Sequence, residues 1–152
     1  HEVEVGDAQL AQVVDLVGDD TDAHIDTLAR LCPQRTIVYV ACDDPGDEHF
    51  AALKSMEQEL QGFAGYRLLP LPWPRAKYDD DGERLPATYA NYLVINGAVL
   101  VPTYDDAADA AALAVLAQAY PGREIIGVDC STLILQHGSL HCITMQIPRG
   151  VI

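Results

Sequence analysis

Two stretches of the chain carry side chains able to do chemistry together. The first is Asp20-Thr21-Asp22-Ala23-His24-Ile25-Asp26. Residues two apart lie about 200° apart on a helix but share one face of an extended segment. Asp22, His24 and Asp26 therefore act together only where the backbone is extended. An imidazole flanked by carboxylates is a poised general acid–base, because nearby negative charge favours its protonated form. The second stretch is Gly138-Ser139-Leu140-His141-Cys142-Ile143-Thr144-Met145-Gln146-Ile147-Pro148. Read as a strand, it places Cys142, Thr144 and Gln146 on one face and His141, Ile143, Met145 and Ile147 on the other. The first face is a row of small polar groups headed by a thiol, as in a lined cavity, and the second reads as core. Adjacent strand residues point oppositely, so His24, not His141, is the expected partner of Cys142. Structural readings stay open for both stretches: Asp26 as the cap of a short helix from Thr27 to Leu31, and Cys142 as a buried, inert thiol. A zinc site from His24, Asp26, His137, His141 and Cys142 has no ligand spacing behind it.

The elements that must position these residues follow a rhythm. Thr36 to Val40 is an apolar, β-branched run and predicts a buried strand. Asp43-Asp44-Pro45-Gly46 breaks it. Asp47 to Leu60 then reads as a helix, with Phe50, Leu53, Met56 and Leu60 at helical spacing and acids at its positive end. Gly62 and Gly65 close it, and Tyr66 to Leu69 is the next strand. Residues 71–86, with three prolines and Asp79-Asp80-Asp81-Gly82, read as a loop. Tyr92 to Ile95, Asn96-Gly97, and Ala98 to Val101 predict a hairpin with a type I′ turn, its second strand ended by Pro102. An alanine-rich helix over 107–119 and a strand from Glu124 to Val128 complete a ββαβ unit. The segment from Thr36 to Leu69 supplies most of a second unit. A third begins with predicted strands at Ser131 to Leu135 and Leu140 to Ile147. The fold class is mixed α/β (α+β), a single domain over 1–152 built from recurring ββαβ units.

Composition bounds the function. The 152 residues carry 9 Lys and Arg against 23 Asp and Glu, a formal charge of −14. With no basic run, this argues against nucleic acid and against anionic membrane surfaces, and it suits a small cationic substrate. At 49% hydrophobic and 21% charged, the chain is globular. No stretch reaches the ~18 apolar residues of a membrane helix, and the acidic start is unlike a signal peptide. Cys32, Cys42, Cys130 and Cys142 make no CxxC pair. They read as reduced thiols of a cytoplasmic protein, one of them reactive, with no metal and no cofactor.

Three motifs decide between the open readings. Gly18 to Arg30 (GDDTDAHIDTLAR) closely resembles the G-D-D-T-D-G-H-I-D-x-x-A-R segment of bacterial agmatine deiminases and Porphyromonas-type peptidylarginine deiminases. Tyr89 to Tyr104 (YANYLVINGAVLVPTY) is similar to a second segment of that family. Gly138 to Pro148 resembles its catalytic-cysteine strand. The three occur in the family's order and spacing, and the similarity runs from about Val13 to Pro148.

The resemblance implies the pentein fold, a propeller of ββαβ units around a central active site, here present in part. It also implies hydrolysis of a guanidinium, as in agmatine or peptidyl-arginine, to a ureido group with release of ammonia through a covalent cysteine thiouronium. Carried over by position, Cys142 is the nucleophile, His24 the general acid–base and Asp26 the carboxylate that grips the guanidinium nitrogens. Asp22 and Gly138 join Asp26 as substrate-binding positions. The sequence departs from the family in length, since family enzymes are more than twice as long and the match is to their C-terminal part. Ala23 replaces the usual glycine, and Gln136-His137 replaces part of the glycine-rich approach to the cysteine. Two expectations follow: a deiminase completed by a second copy or another chain, or a catalytically inactive remnant that binds. Open propeller edges predict a homo-oligomer under either.

Overall fold

The structure, a computed structural model, describes residues 24–147 and residue 150. After a 3-10 turn at Ile25–Thr27, the first unit runs through β1 (Ala29–Cys32), β2 (Thr36–Ala41), helix α1 (Phe50–Gln61) and β3 (Arg67–Pro72). A small ribbon of β4 (Lys77–Tyr78) and β5 (Arg84–Leu85) follows. The second unit is β6 (Leu93–Ile95), β7 (Ala98–Thr103), helix α2 (Asp109–Ala119) and β8 (Glu124–Asp129), with a further 3-10 turn at Leu133–Gln136. The units repeat one topology. β1 pairs antiparallel with β2, and β2 pairs parallel with β3, Thr36 opposite Arg67. Likewise β6 pairs antiparallel with β7, and β7 pairs parallel with β8, Ala98 opposite Glu124. Each helix is the crossover that a parallel pair requires.

The central strands are the apolar runs. β2 is buried from Thr36 to Val40, and β7 buries Ala98, Val99, Val101 and Pro102. Helix α1 covers its sheet with Leu53, Met56 and Leu60; α2 contributes Ala112, Leu116 and Ala119. Small residues on α2 let it lie close to the sheet, and Gly127 of β8 completes that approach. A Cβ there would stand 3.2 Å from Thr103 Cγ2 and 3.7 Å from Leu113. One hydrophobic core runs through both units, from Leu28 and Val38 to Val99 and Leu116.

Several expectations need correction. The helix expected from Thr27 to Leu31 is instead the 3-10 turn and β1, so the first unit is a complete ββαβ. Its hairpin turn places Gln34 and Arg35 at φ 57° and 52°, a conformation without a glycine to advertise it. Arg35 holds it by donating to the Gly65 carbonyl at 3.0 Å and lying over the Tyr66 ring. In the Asn96-Gly97 turn only Gly97 has positive φ (89°), so the turn is not type I′. Pro102 does not end β7: β6 pairs only as far as Leu100, and beyond it that side of β7 needs no N–H. The 71–86 segment holds the end of β3 and the β4–β5 ribbon, whose turn Asp79 closes by accepting from the amides of Asp81 and Glu83.

The third unit's strands are absent. Residues 133–136 form a 3-10 turn ending at His137 in the left-handed region, φ 62°. Residues 141–143 form another turn, and 144–147 have no regular pairing. Ile143, Met145 and Ile147, expected in the core, are exposed. Their segment bonds locally and to Asn91 in place of a neighbouring strand. Two ββαβ units are thus in place, and the described residues do not close into a ring.

Candidate functional site

Asp26 sits in the first 3-10 turn. His24 enters it extended (ψ 130°), and its carbonyl accepts from both the amide and the hydroxyl of Thr27, the latter at 2.8 Å. Thr27 is buried, and its own carbonyl accepts from the Thr88 hydroxyl at 2.7 Å. The turn that carries Asp26 is thereby fastened to the segment before β6.

Cys142 is held by a different set of anchors. Ser139 is buried and shares a hydrogen bond with the Tyr104 hydroxyl, which also donates to the Thr88 carbonyl. Leu140 enters the core. Gly138 backs directly onto the cysteine: a Cβ there would lie 3.1 Å from Cys142 Cβ and 3.7 Å from its sulfur. The thiol itself is exposed.

Asn91, wholly buried, joins the two. Its Nδ2 donates to Asp26 Oδ2 at 3.2 Å and to Cys142 Sγ at 3.2 Å. Its Oδ1 accepts from the amide of His141 at 2.9 Å and of Cys142 at 3.4 Å. One buried amide thus orients a carboxylate and a thiol toward each other and fixes the backbone that carries the thiol. His141 Nδ1 lies 2.5 Å from Asp26 Oδ2. An ionised carboxylate only accepts, so the imidazole donates from Nδ1.

The structure therefore brings together Asp26, Cys142 and Gly138 of the expected residues, and adds Asn91 and His141. His24 stands exposed two residues before Asp26, at the entrance of the same turn. Asp22 lies outside the described residues. The opposite-faces reasoning about His141 and Cys142 fails because they occupy a turn and not a strand, and both of their amides point at Asn91. Asn91 was legible only as an amide in an otherwise apolar and aromatic run, Tyr89-Ala90-Asn91-Tyr92.

The other thiols differ in kind. All four cysteines are free, but Cys42 and Cys130 are buried, and burial pushes both thiols up, away from ionisation. Cys32 is half-buried and its sulfur lies 3.3 Å from the Tyr92 hydroxyl, which in turn lies 2.9 Å from that of Tyr120. Among the described residues, no three His, Cys, Asp or Glu side chains are grouped to hold a metal ion. No helix among them is long and apolar enough to cross a membrane.

An exposed thiol and a carboxylate oriented on one buried amide can attack and hold a flat cation. Comparison with known proteins points the same way. The family model for Porphyromonas-type peptidyl-arginine deiminase matches residues 8–148. A Vibrio parahaemolyticus protein provisionally named an agmatine deiminase is 34% identical over 154 residues, covering 88% of this chain and 43% of its own length. The agmatine deiminase of Pseudomonas putida is 27% identical, covering 90% and 43%. Among solved structures, a substrate-bound agmatine deiminase of C. jejuni superposes with a TM-score of 0.79 at 46% identity, over 84% of this chain and 38% of that one. A Porphyromonas gingivalis structure provisionally described as an arginine deiminase gives 0.85 at 60% identity, over 90% and 41%. The chain spans about 43% of the length of the curated relatives it matches.

Proposed function

The chain belongs to the Porphyromonas-type peptidyl-arginine deiminase family, and from that premise we propose that it carries the nucleophile-bearing part of a guanidinium hydrolase. The substrate class is a small cationic guanidinium, agmatine or peptidyl-arginine. The observation that carries the reading is the single amide of Asn91 bonded to both the exposed Cys142 sulfur and the Asp26 carboxylate, each at 3.2 Å.

The chemistry follows from charge. A free thiol with pKa ~8.5 is only a few per cent thiolate at pH 7. A guanidinium docked ~4 Å from the sulfur favours the thiolate by up to ~4 kcal/mol at an effective dielectric of ~20. Asp26, with Asp22, accepts from the planar N–H fork that suits a carboxylate, and the lack of a side chain at Gly138 leaves room at the sulfur. His141 holds the Asp26 carboxylate. Cys142 attacks the central carbon; His24 protonates the departing nitrogen, and the carbon–nitrogen bond breaks to release ammonia. The resulting thiouronium is attacked by water that neutral His24 deprotonates. The carbon–sulfur bond breaks, leaving the ureido product and the thiolate. No cofactor enters this scheme.

We further propose that the two ββαβ units are a portion of a pentein-like propeller. The exposed Ile143, Met145 and Ile147 and the edge strand β8 support a face completed in an assembly, with a homo-oligomer as the arrangement to test. Four free thiols suit a reducing, cytoplasmic setting. The alternative reading is a catalytically inactive pentein remnant that binds the cation without turnover.

The experiment is direct. Agmatine, arginine and an arginine peptide are incubated with the protein, and ammonia and ureido product are measured, with Cys142→Ala as the control. Turnover that the control abolishes is expected. No turnover, with a chloroacetamidine still labelling Cys142 selectively, supports the remnant. Labelling of Cys142 by chloroacetamidine no faster than by iodoacetamide refutes a guanidinium site.

A further inference from the structure

Residues 86–92, which deliver Asn91, belong to no strand, yet Ala90, Asn91 and Tyr92 are all wholly buried. Their carbonyls must find partners without a ladder to supply them. The Asn91 carbonyl accepts from the His141 amide at 3.3 Å. The carbonyls on either side of it have one common donor. Arg30, on β1, donates from Nη1 to the Ala90 carbonyl at 3.3 Å and to the Tyr92 carbonyl at 3.0 Å. Its guanidinium carbon stands 4.7 Å from the centroid of the Tyr92 ring, a cation–π contact that holds the group beside the same backbone.

The two carbonyls belong to the peptide groups linking Ala90 to Asn91 and Tyr92 to Leu93. The first adjoins the Cα from which the Asn91 amide reaches Asp26 and Cys142, and the second lies one peptide beyond it on the other side. We infer that Arg30 is a positioning residue: by clamping the backbone on both sides of Asn91, it aims that amide at the Cys142 sulfur and the Asp26 carboxylate. This role rests on the deiminase reading for its consequence in turnover, but the clamp itself is a property of the backbone. Without the guanidinium, two buried carbonyls lose their donor, and the flanking peptide planes rotate to seek others. The bonds from Asn91 Nδ2, already 3.2 Å, lengthen in consequence. A displacement approaching 1 Å at such a site costs about 100-fold in rate, and a part of it correspondingly less.

Two variants separate this role from bulk stability. Arg30→Met keeps an unbranched stem over Tyr92 but has no donor. Arg30→Lys restores a charged donor without the planar fork. In the intact protein, Met is expected to lower kcat and the chloroacetamidine-to-iodoacetamide labelling ratio of Cys142 about tenfold or more. KM changes little, the protein stays folded by thermal melt, and Lys recovers part of the loss. The 15N-correlated signals of the Asn91 side-chain amide read the clamp without turnover: they shift or broaden in the Met variant and move back in the Lys variant. Unchanged Asn91 signals in Arg30→Met overturn the inference, whether or not the wild-type protein hydrolyses guanidines. So does a Lys variant no better than Met. Absence of turnover in the wild type, with the Asn91 signals responding as described, sinks the deiminase reading and leaves the clamp standing.

Discussion

Replacing Asn91 by leucine isolates what one buried amide does. Leucine keeps the branched shape of asparagine with larger ends, so the substitution removes hydrogen bonds without opening a cavity. The bond to the Asp26 carboxylate, at 3.2 Å, involves a charged group and is worth about 1.5–3 kcal/mol. The bond from the His141 amide, at 2.9 Å, is neutral and worth about 0.5–1.5 kcal/mol. The contacts to Cys142, a thiol sulfur at 3.2 Å and an amide at 3.4 Å, add at the low end. Two alternatives soften the loss: Asp26 keeps His141, and the His141 amide keeps the Asn91 carbonyl. The net cost is about 2–4 kcal/mol, which for a domain of this size lowers Tm by about 4–16 °C. Asn91→Asp is the sharper companion. It keeps the shape and the acceptor but sets a second carboxylate beside Asp26, a repulsion of about 5 kcal/mol at that distance and an effective dielectric of about 20. Calorimetric melts and the labelling rate of Cys142 by chloroacetamidine measure both effects. A leucine variant that melts within about 2 °C of wild type, with Cys142 labelled at the wild-type rate, refutes the view that Asn91 orients the site.

Other outcomes follow from the same geometry. Arg84 is buried, donates to Asp47 at 2.8 Å and to Glu48 at 2.7 Å, and Asp47 is half-buried beside it; Arg84→Met strands the Asp47 carboxylate and is expected to cost about 3–5 kcal/mol in denaturant unfolding. Stability is also expected to fall in two stages on acidification. Burial, then the Arg84 charge, depress the His49 pKa, so its contribution is complete above its unfolded value near ~6.5 and is lost as pH falls below it. Burial alone would raise the Asp47 pKa, but Arg84 and the His49 amide outweigh it and hold the carboxyl well below the usual range. That contribution is complete above ~4 and disappears at lower pH. Denaturant titrations across pH 3–8 show both stages; Arg84→Met flattens the second, and a wild-type curve flat through both windows contradicts the assignment. Gly138→Ala sets a methyl 3.1 Å from Cys142 Cβ, so labelling of Cys142 is expected to slow about 3- to 10-fold with little change in Tm. An unaltered rate shows that the turn yields freely.

Legibility in the sequence tracked how local the determinant was. β2 and β7 were readable because apolar runs at the centre of a sheet are buried, β8 from its short apolar run although as an edge strand it is only half-buried, and the turn at Asn96-Gly97 announced the hairpin. β1 was missed: its two-residue left-handed turn at Gln34 and Arg35 is sustained by contacts with Gly65 and Tyr66, thirty residues away. The strand expected over Leu140 to Ile147 had the right alternation, but alternation selects a strand only when a neighbouring strand accepts its hydrogen bonds, and among the described residues none does. The Gly138-to-Pro148 motif singles out Cys142 by resemblance, which marks a residue type and position whatever conformation surrounds it.

The chain alone determined the recurring ββαβ order and the acidic character, because these reside in residue type, run length and spacing, and Cys142 and Asp26 are singled out by the family resemblance of their motifs. Only the tertiary structure decided that Asp26 and Cys142 meet on Asn91, that His141 turns to Asp26, and that Arg30 grips the backbone between them. Those contacts join residues 51 to 115 positions apart. Their geometry depends on where buried polar groups without a ladder find partners, and such a choice is settled by the packing of two whole units, not by any stretch of sequence.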